Sequence, residues 1–175
     1  IHGKGFRFDV GALHVLKTQR PKWMTVQMTE VVVKEVFAQR METVLEADKQ
    51  LITAISTLKR HAAMDVEKVN AELVMLKIQE SAQIHFESQI NRFVSGLDGG
   101  VLLTSGDGLA GEMFRRYFAV LPPFENRSDK KSEFPDAAAL LVLEEFAEEY
   151  DTKGILISND RGWAAFAAAS SKLYC

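Results

Sequence analysis

The last third of the chain leaves the least freedom. Ser132-Glu133-Phe134-Pro135-Asp136 leads into Ala137 to Leu143, apolar nearly all round, and after a short gap Ile155-Leu156-Ile157 runs into Ser158-Asn159-Asp160-Arg161-Gly162-Trp163. Proline suits the first helical turn, which needs no amide there, so Pro135 marks a helix start and Asp136 lies near that helix's positive end. A helix without a polar face in its first half belongs in an interior. Ile155 to Ile157 reads as a buried strand that stops at an acid, and open α/β sheets place their ligands beyond the carboxyl ends of such strands. Two acids are thereby directed to one sheet edge.

The same alternation of strand and helix runs through both ends of the chain. Gly154 to Ser158 reads as a strand, Gly162 to Ala169 as a short helix and Lys172 to Cys175 as a last strand. At the front, Gly5 to Val10 alternates apolar and polar residues as a strand does, and Gly11 to Gln19 carries Ala12, Leu13, Val15 and Leu16 at helical spacing. Asp9 sits at that junction, where helix N-capping is the competing role. After Arg20-Pro21-Lys22, Trp23 to Met28 alternates again as a short strand, and Thr29 is a suitable N-cap for a long helix. This order predicts an α/β fold, a three-layer sandwich around a central, mainly parallel sheet joined by right-handed crossovers. The 175 residues, 47% of them hydrophobic, suffice for one core and are few for two, so residues 1–175 are expected to form a single domain.

Between the two ends lies a long helical stretch. Val32, Val33, Val36, Phe37, Met41, Val44, Leu45, Leu51, Ile52, Ile55 and Leu58 mark one apolar stripe. Arg60 to Ala63 interrupts it, and Val66, Val69, Leu73, Leu76, Ile84, Ile90, Phe93, Val94 and Leu97 resume it, predicting an inserted helical hairpin over about 38–97. Glu30 is expected to face water, whereas Glu35 stands among Val32, Val33, Val36 and Phe37, and an acid amid that much apolar surface asks for a reason. His61 and His85 have no carboxylate or cysteine partners at ligand spacing and read as surface or packing residues. Gly99 to Gly111 is glycine-rich but lacks the Gly-Lys-Ser/Thr ending of a phosphate-binding loop. Asp107 is placed to cap the helix that carries Met113, Phe114, Tyr117 and Phe118, which Pro122-Pro123 stops.

The formal net charge of -3 gives no global pull toward nucleic acid. A local one remains: Arg127, Lys130 and Lys131 lie in the polar loop before Asp136, and Arg161 follows Asp160, so these four are candidate phosphate contacts. A lone cysteine, Cys175, excludes an internal disulfide framework and favours a reducing compartment. No apolar run reaches the roughly 18 residues of a membrane span, and Ile1-His2-Gly3-Lys4-Gly5 lacks a signal-peptide core, so no membrane partner and a cytoplasmic location are expected.

Asp9, Glu35, Asp136 and Asp160 each fall at the end of a predicted strand or in the opening of a predicted helix, and a parallel sheet gathers such ends on one edge. Converging carboxylates raise one another's pKa, and a divalent cation relieves that cost. Hard oxygen ligands select Mg²⁺ or Mn²⁺ over zinc, in keeping with few histidines and one cysteine. One or two such ions activate water and stabilise charge on a phosphoryl group.

Phe8-Asp9, Thr29 to Val36, Lys131-Ser132-Glu133-Phe134-Pro135-Asp136-Ala137 and Ser158-Asn159-Asp160-Arg161-Gly162-Trp163, in that order, resemble the PIN domain family of metal-dependent ribonucleases. More narrowly, the chain is similar to bacterial PIN-like proteins with a long helical insertion ahead of the third acid. The likeness covers residues 6–37 and 109–175, with Lys131 to Asp136 its most specific string. It implies that Asp9, Glu35, Asp136 and Asp160 bind the metal and catalyse, with Ser158 and Asn159 supporting them, in an endonuclease that cuts RNA by metal-activated water. It also brings toxin-antitoxin or defence roles into the expectations, with an antitoxin or another protein as partner, and the hairpin offers a face for a homodimer. Asp9 departs from the family pattern: Val10 and Gly11 follow it where a threonine or serine and then an asparagine or serine are usual. The competing expectation is therefore a catalytically inactive PIN-like module whose hairpin holds a protein partner. A haloacid-dehalogenase type of phosphatase is set aside, because Gly11 stands where that chemistry needs a second acid.

Overall fold

The computed structural model describes residues 8, 10–62, 67–68, 77–125 and 130–175. Asp9 and Arg127 lie outside the described residues, as does most of the strand expected over Gly5 to Val10. The chain divides into two compact units, one made of Ile1–Val26 and Lys34–Gly99, the other of Gln27–Val33 and Gly100–Cys175. Among the described residues, no helix is long and apolar enough to cross a membrane.

In the first unit, α1 spans Gly11–Gln19, matching the predicted helix. It stops because Pro21 disfavours helical geometry at the preceding residue, and Arg20 is extended at φ -61, ψ 143. The strand expected over Trp23 to Met28 is absent except for its last residue. Pro21 to Met24 closes a turn (Met24 N–H to Pro21 carbonyl, 3.0 Å), and Trp23 is left 79% exposed. Helix α2, described over Glu30–Ala62, begins in the second unit and continues in the first. Its partner α3, Ile78–Ser95, buries Phe86, Ile90, Phe93 and Val94. The Phe37 and Phe86 rings lie 5.9 Å apart, Arg40 lies over Phe86, and the Gln79 amide donates to Asp48 (3.2 Å), while Phe8 packs 4.6 Å from Phe93.

The apolar stripe of α2 is only partly buried: Val36 and Ile55 are covered, whereas Leu45, Leu51, Ile52 and Leu58 are exposed, as is Ile84 on α3. At about 1.5 Å per residue α2 is about 50 Å long and the described α3 about 27 Å. His61 and His85 are exposed, as expected. The turn after α3 requires glycine, since a Cβ on Gly99 would sit 1.7 Å from the Val26 carbonyl oxygen.

The second unit holds all four described strands, each two residues long. β1 (Met28–Thr29) pairs in parallel with β2 (Val101–Leu102), and β3 (Gly154–Ile155) in parallel with β4 (Leu173–Tyr174). Thr29 caps α2 as expected, its hydroxyl accepting from the Val32 amide at 3.4 Å. Helix α4 covers Leu109–Ala119; it starts at Gly108, with φ 94, rather than on a side-chain cap from Asp107. A 3-10 turn at Lys130–Glu133 leads into α5, Phe134–Glu149, and α6 covers Arg161–Ala169.

Helix α5 is the core of this unit, as its composition predicts. Ala137, Ala138, Ala139, Leu140, Val142 and Ala147 are all buried along it. Leu140 and Ala147 join Leu156, Phe166, Ala167 and Leu173 in one cluster, with Leu141, Leu143 and Trp163 packed against it. Burying Phe166, Leu140 or Leu173 contributes about 1.5–3 kcal/mol each. The strand expected over Gly154 to Ser158 is confined to Gly154–Ile155, and the stretch is not buried on both faces: Leu156 joins the cluster, while Ile155 is 68% and Ile157 83% exposed. Helices α5 and α6 cover the face that Leu156 shares, and alternation does the rest.

Candidate active site

Pro135 stands in the first turn of α5, as its ring geometry favours, and sets Asp136 beside it. The Glu133 carboxylate, in the preceding 3-10 turn, accepts the Glu125 N–H at 2.9 Å and so ties the two ends of the loop before α5. Asp160 is the N-cap of α6, its Oδ1 accepting the Trp163 N–H at 3.1 Å. Its own N–H donates to the Ser158 hydroxyl (3.1 Å), which shapes the turn between β3 and α6.

These two helix starts meet. Asp136 and Asp160 line one cleft of about 330 Å³ together with Pro123, Glu125, Glu133, Asn159, Arg161 and Gly162. All eight residues belong to the second unit. Close approach of the Pro122-Pro123 wall depends on Gly162, where a Cβ would fall 2.9 Å from the Pro123 carbonyl oxygen and 3.0 Å from Asp160 Oδ1. Arg116 of α4 holds that wall from behind, donating to the Pro122 carbonyl at 2.8 Å while lying over the Phe166 ring.

Asp136 is half-buried, and its carboxyl titrates above the usual range. Burial is the main cause; the Asp160 charge adds to it, and the Trp163 indole, which donates to Asp136 Oδ1 at 2.7 Å, works against it. Two acids thus share a cleft at a cost that a cation would remove.

Of the sequence candidates, Asp136, Asp160, Asn159 and Arg161 line this cleft, and Ser158 supports Asp160 from the turn behind it. Lys131 is exposed in the 3-10 turn, and the Lys130 side chain lies outside the described residues. Glu35 is exposed on the first-unit part of α2 rather than enclosed by apolar neighbours; the helix turns its neighbour Val36 inward instead. Glu30, expected to face water, is half-buried and accepts the Thr104 N–H (3.2 Å) and hydroxyl (2.9 Å). Parallel pairing of β1 with β2 brings the residues just beyond both strands together, which no local pattern announces.

Sequence reasoning missed Trp163, Glu125, Glu133, Pro123 and Gly162. For Trp163 a signal existed, since a partly buried indole N–H seeks an acceptor and Asp136 is a candidate on the same sheet edge. Among the described residues, no group of three or more histidine, cysteine, aspartate or glutamate side chains is placed to hold a metal ion.

Comparison with known proteins gives one result: the family model for the PIN domain matches residues 1–163. Neither the curated proteins nor the solved structures yield a match. A match over that much of the chain, on a mixed fold with short parallel strands, places the protein: it belongs to the PIN domain family.

Proposed function

We propose that the chain is a metal-dependent endonuclease that hydrolyses phosphodiester bonds in RNA. PIN domains are nucleases in general, which supports an enzyme of that broad type. The observation that carries the reading is the shared cleft of Asp136 and Asp160, in which burial and the neighbouring charge push the Asp136 carboxyl up. The donors suit Mg²⁺ or Mn²⁺: the four acids Glu125, Glu133, Asp136 and Asp160 and the Asn159 amide offer hard oxygen ligands, and no histidine or cysteine is among the lining residues. Asp136 and Asp160 are the residues of this cleft that we assign to one or two such ions. When bound, such an ion lowers the pKa of water and stabilises charge on the phosphoryl oxygens.

The chain's own groups do the rest. Arg161, at the cleft, offers a cation for the scissile phosphate, and Arg127, Lys130 and Lys131 serve neighbouring phosphates. One of Asp136 and Asp160 accepts the proton that water gives up as its oxygen bonds phosphorus; the bond to the leaving sugar oxygen breaks, and that oxygen takes up a proton from solvent to leave as a hydroxyl. We read residues 1–175 as one PIN-like domain, a three-layer sandwich with a helical hairpin inserted at about 38–97. A cytoplasmic toxin-antitoxin or defence nuclease, with an antitoxin partner or a homodimer through the hairpin, is the setting this reading favours.

Labelled single-stranded RNA incubated with the protein and Mn²⁺ tests it. Cleavage by the parent and none by Asp136→Asn is expected. Identical silence from both, without a Mn²⁺-induced rise in Tm, sinks the enzyme reading. A second reading, an inactive module that binds a protein through its long helices, is favoured by exposed Leu45, Leu51, Ile52, Leu58 and Ile84.

A further inference from the structure

We propose that Trp163 is a positioning residue that sets Asp136 and Asp160 at the separation from which both serve a divalent cation in the cleft; this rests on the nuclease reading above. One residue donates to both acids. Its backbone N–H reaches Asp160 Oδ1 at 3.1 Å and its indole Nε1–H reaches Asp136 Oδ1 at 2.7 Å. The ring between those donors packs against the cluster of Leu140, Phe166 and Leu173, so its rotamer is held by the interior rather than by the acids. Trp163 therefore works as a rigid bracket: it takes Oδ1 of each carboxylate and leaves Oδ2 of each outside its own bonds. A phenylalanine would keep an aromatic ring against the cluster and the same backbone bond, though with less volume, and it would release Asp136 to rotate. Hydrogen-bonding partners of metal-binding carboxylates orient them, and losing one costs about 10- to 100-fold in metal affinity.

The test is calorimetric titration of Mn²⁺ into the full chain, parent against Trp163→Phe, with the metal-free Tm of each measured alongside. Weakening of Mn²⁺ binding by about 10- to 100-fold, at a metal-free Tm within a few degrees of the parent, is the expected result. An unchanged Mn²⁺ affinity overturns the proposal whatever the Tm does, because a purely structural role moves only the Tm. A parent that binds no Mn²⁺ overturns this proposal and the metal reading together, whereas binding by the parent with equal affinity in Trp163→Phe overturns this one alone. A second measurement needs no change at Trp163. The chain has two tryptophans, so in Trp23→Phe the remaining emission is that of Trp163. Bound Mn²⁺ should quench it strongly, and calorimetric binding without any change in emission also overturns the proposal.

Discussion

Glu112 on α4 and Asp136 on α5 are both half-buried carboxylates on adjacent helices of one unit, and their surroundings drive them in opposite directions. Glu112 is gripped by two guanidinium groups, Arg115 at 2.6 Å and Arg116 at 2.8 Å, and its pKa falls from the ordinary 4.5 to about 2, hydrogen bonding from Arg115 being the largest cause. Asp136 has an indole N–H and a second carboxylate for neighbours, and burial pushes it up. An acid with its own arginines is a brace. An acid set beside another acid holds a charge that the fold tolerates rather than satisfies, and such tolerated strain is where chemistry is found.

Three substitutions bear on that contrast, beginning with the largest effect. Asp136→Asn should lower Mn²⁺-dependent RNA cleavage at least about 100-fold, equivalent to about 2.7 kcal/mol of barrier, while Glu112→Gln should leave it within about twofold. Comparable losses from both would erase the distinction. Gly162→Ala should destabilise the fold by about 1–3 kcal/mol through overpacking against the Pro123 carbonyl and Asp160. Urea melts read this directly, and an unchanged midpoint would show that the cleft wall yields at no cost.

The smallest effect is in pH dependence, where the two acids have opposite signs. Glu112, with its folded pKa depressed, stabilises above pH 4.5 and loses that contribution as the pH falls from 4.5 to about 2. Asp136, with its folded pKa raised, costs stability when ionised, and that cost fades as the pH falls through its raised pKa toward 3.8. Because Glu112 is substantially solvated, Glu112→Gln should cost about 1 kcal/mol at pH 7, with the difference closing near pH 2. Asp136→Asn should instead be neutral or stabilising at pH 7, with no advantage at pH 3. Thermal melts of parent and both variants across that range decide it, and curves of the same sign would refute the comparison.

Much of the helical framework was legible because its signals are local. Pro21 and the stripe of Leu13 and Leu16 bound α1, Thr29 and the apolar stripe after it announce α2, and Pro135 with the alanine run announces α5. What escaped depends on partners distant in sequence. Trp23 to Met28 alternates like a strand, but only Met28 and Thr29 find a ladder, because β2 supplies two pairing residues and the Pro21 turn takes Trp23 and Met24. Ile155 and Ile157 are apolar enough for a two-sided interior, yet only Leu156 faces α5. The pairing of Asp136 with Asp160 was readable from a helix opening and a strand end, whereas the tryptophan between them was missed, because an indole N–H announces that it needs an acceptor but spacing does not say which one.

Arg116 has a consequence for how loss-of-function variants of this chain would be read. It touches none of the lining residues by charge, yet it holds the Pro122 carbonyl, Glu112 and the Phe166 ring at once, with Glu144 3.9 Å away. A random mutagenesis screen for inactive variants should therefore return Arg116 beside the acids, and a lysine there should score as badly as an alanine, because one ammonium cannot replace a planar fork spread over so many acceptors. Sorted by distance from the cleft, that hit would look like noise; sorted by what the guanidinium joins, it marks the hinge pin of the cleft's far wall.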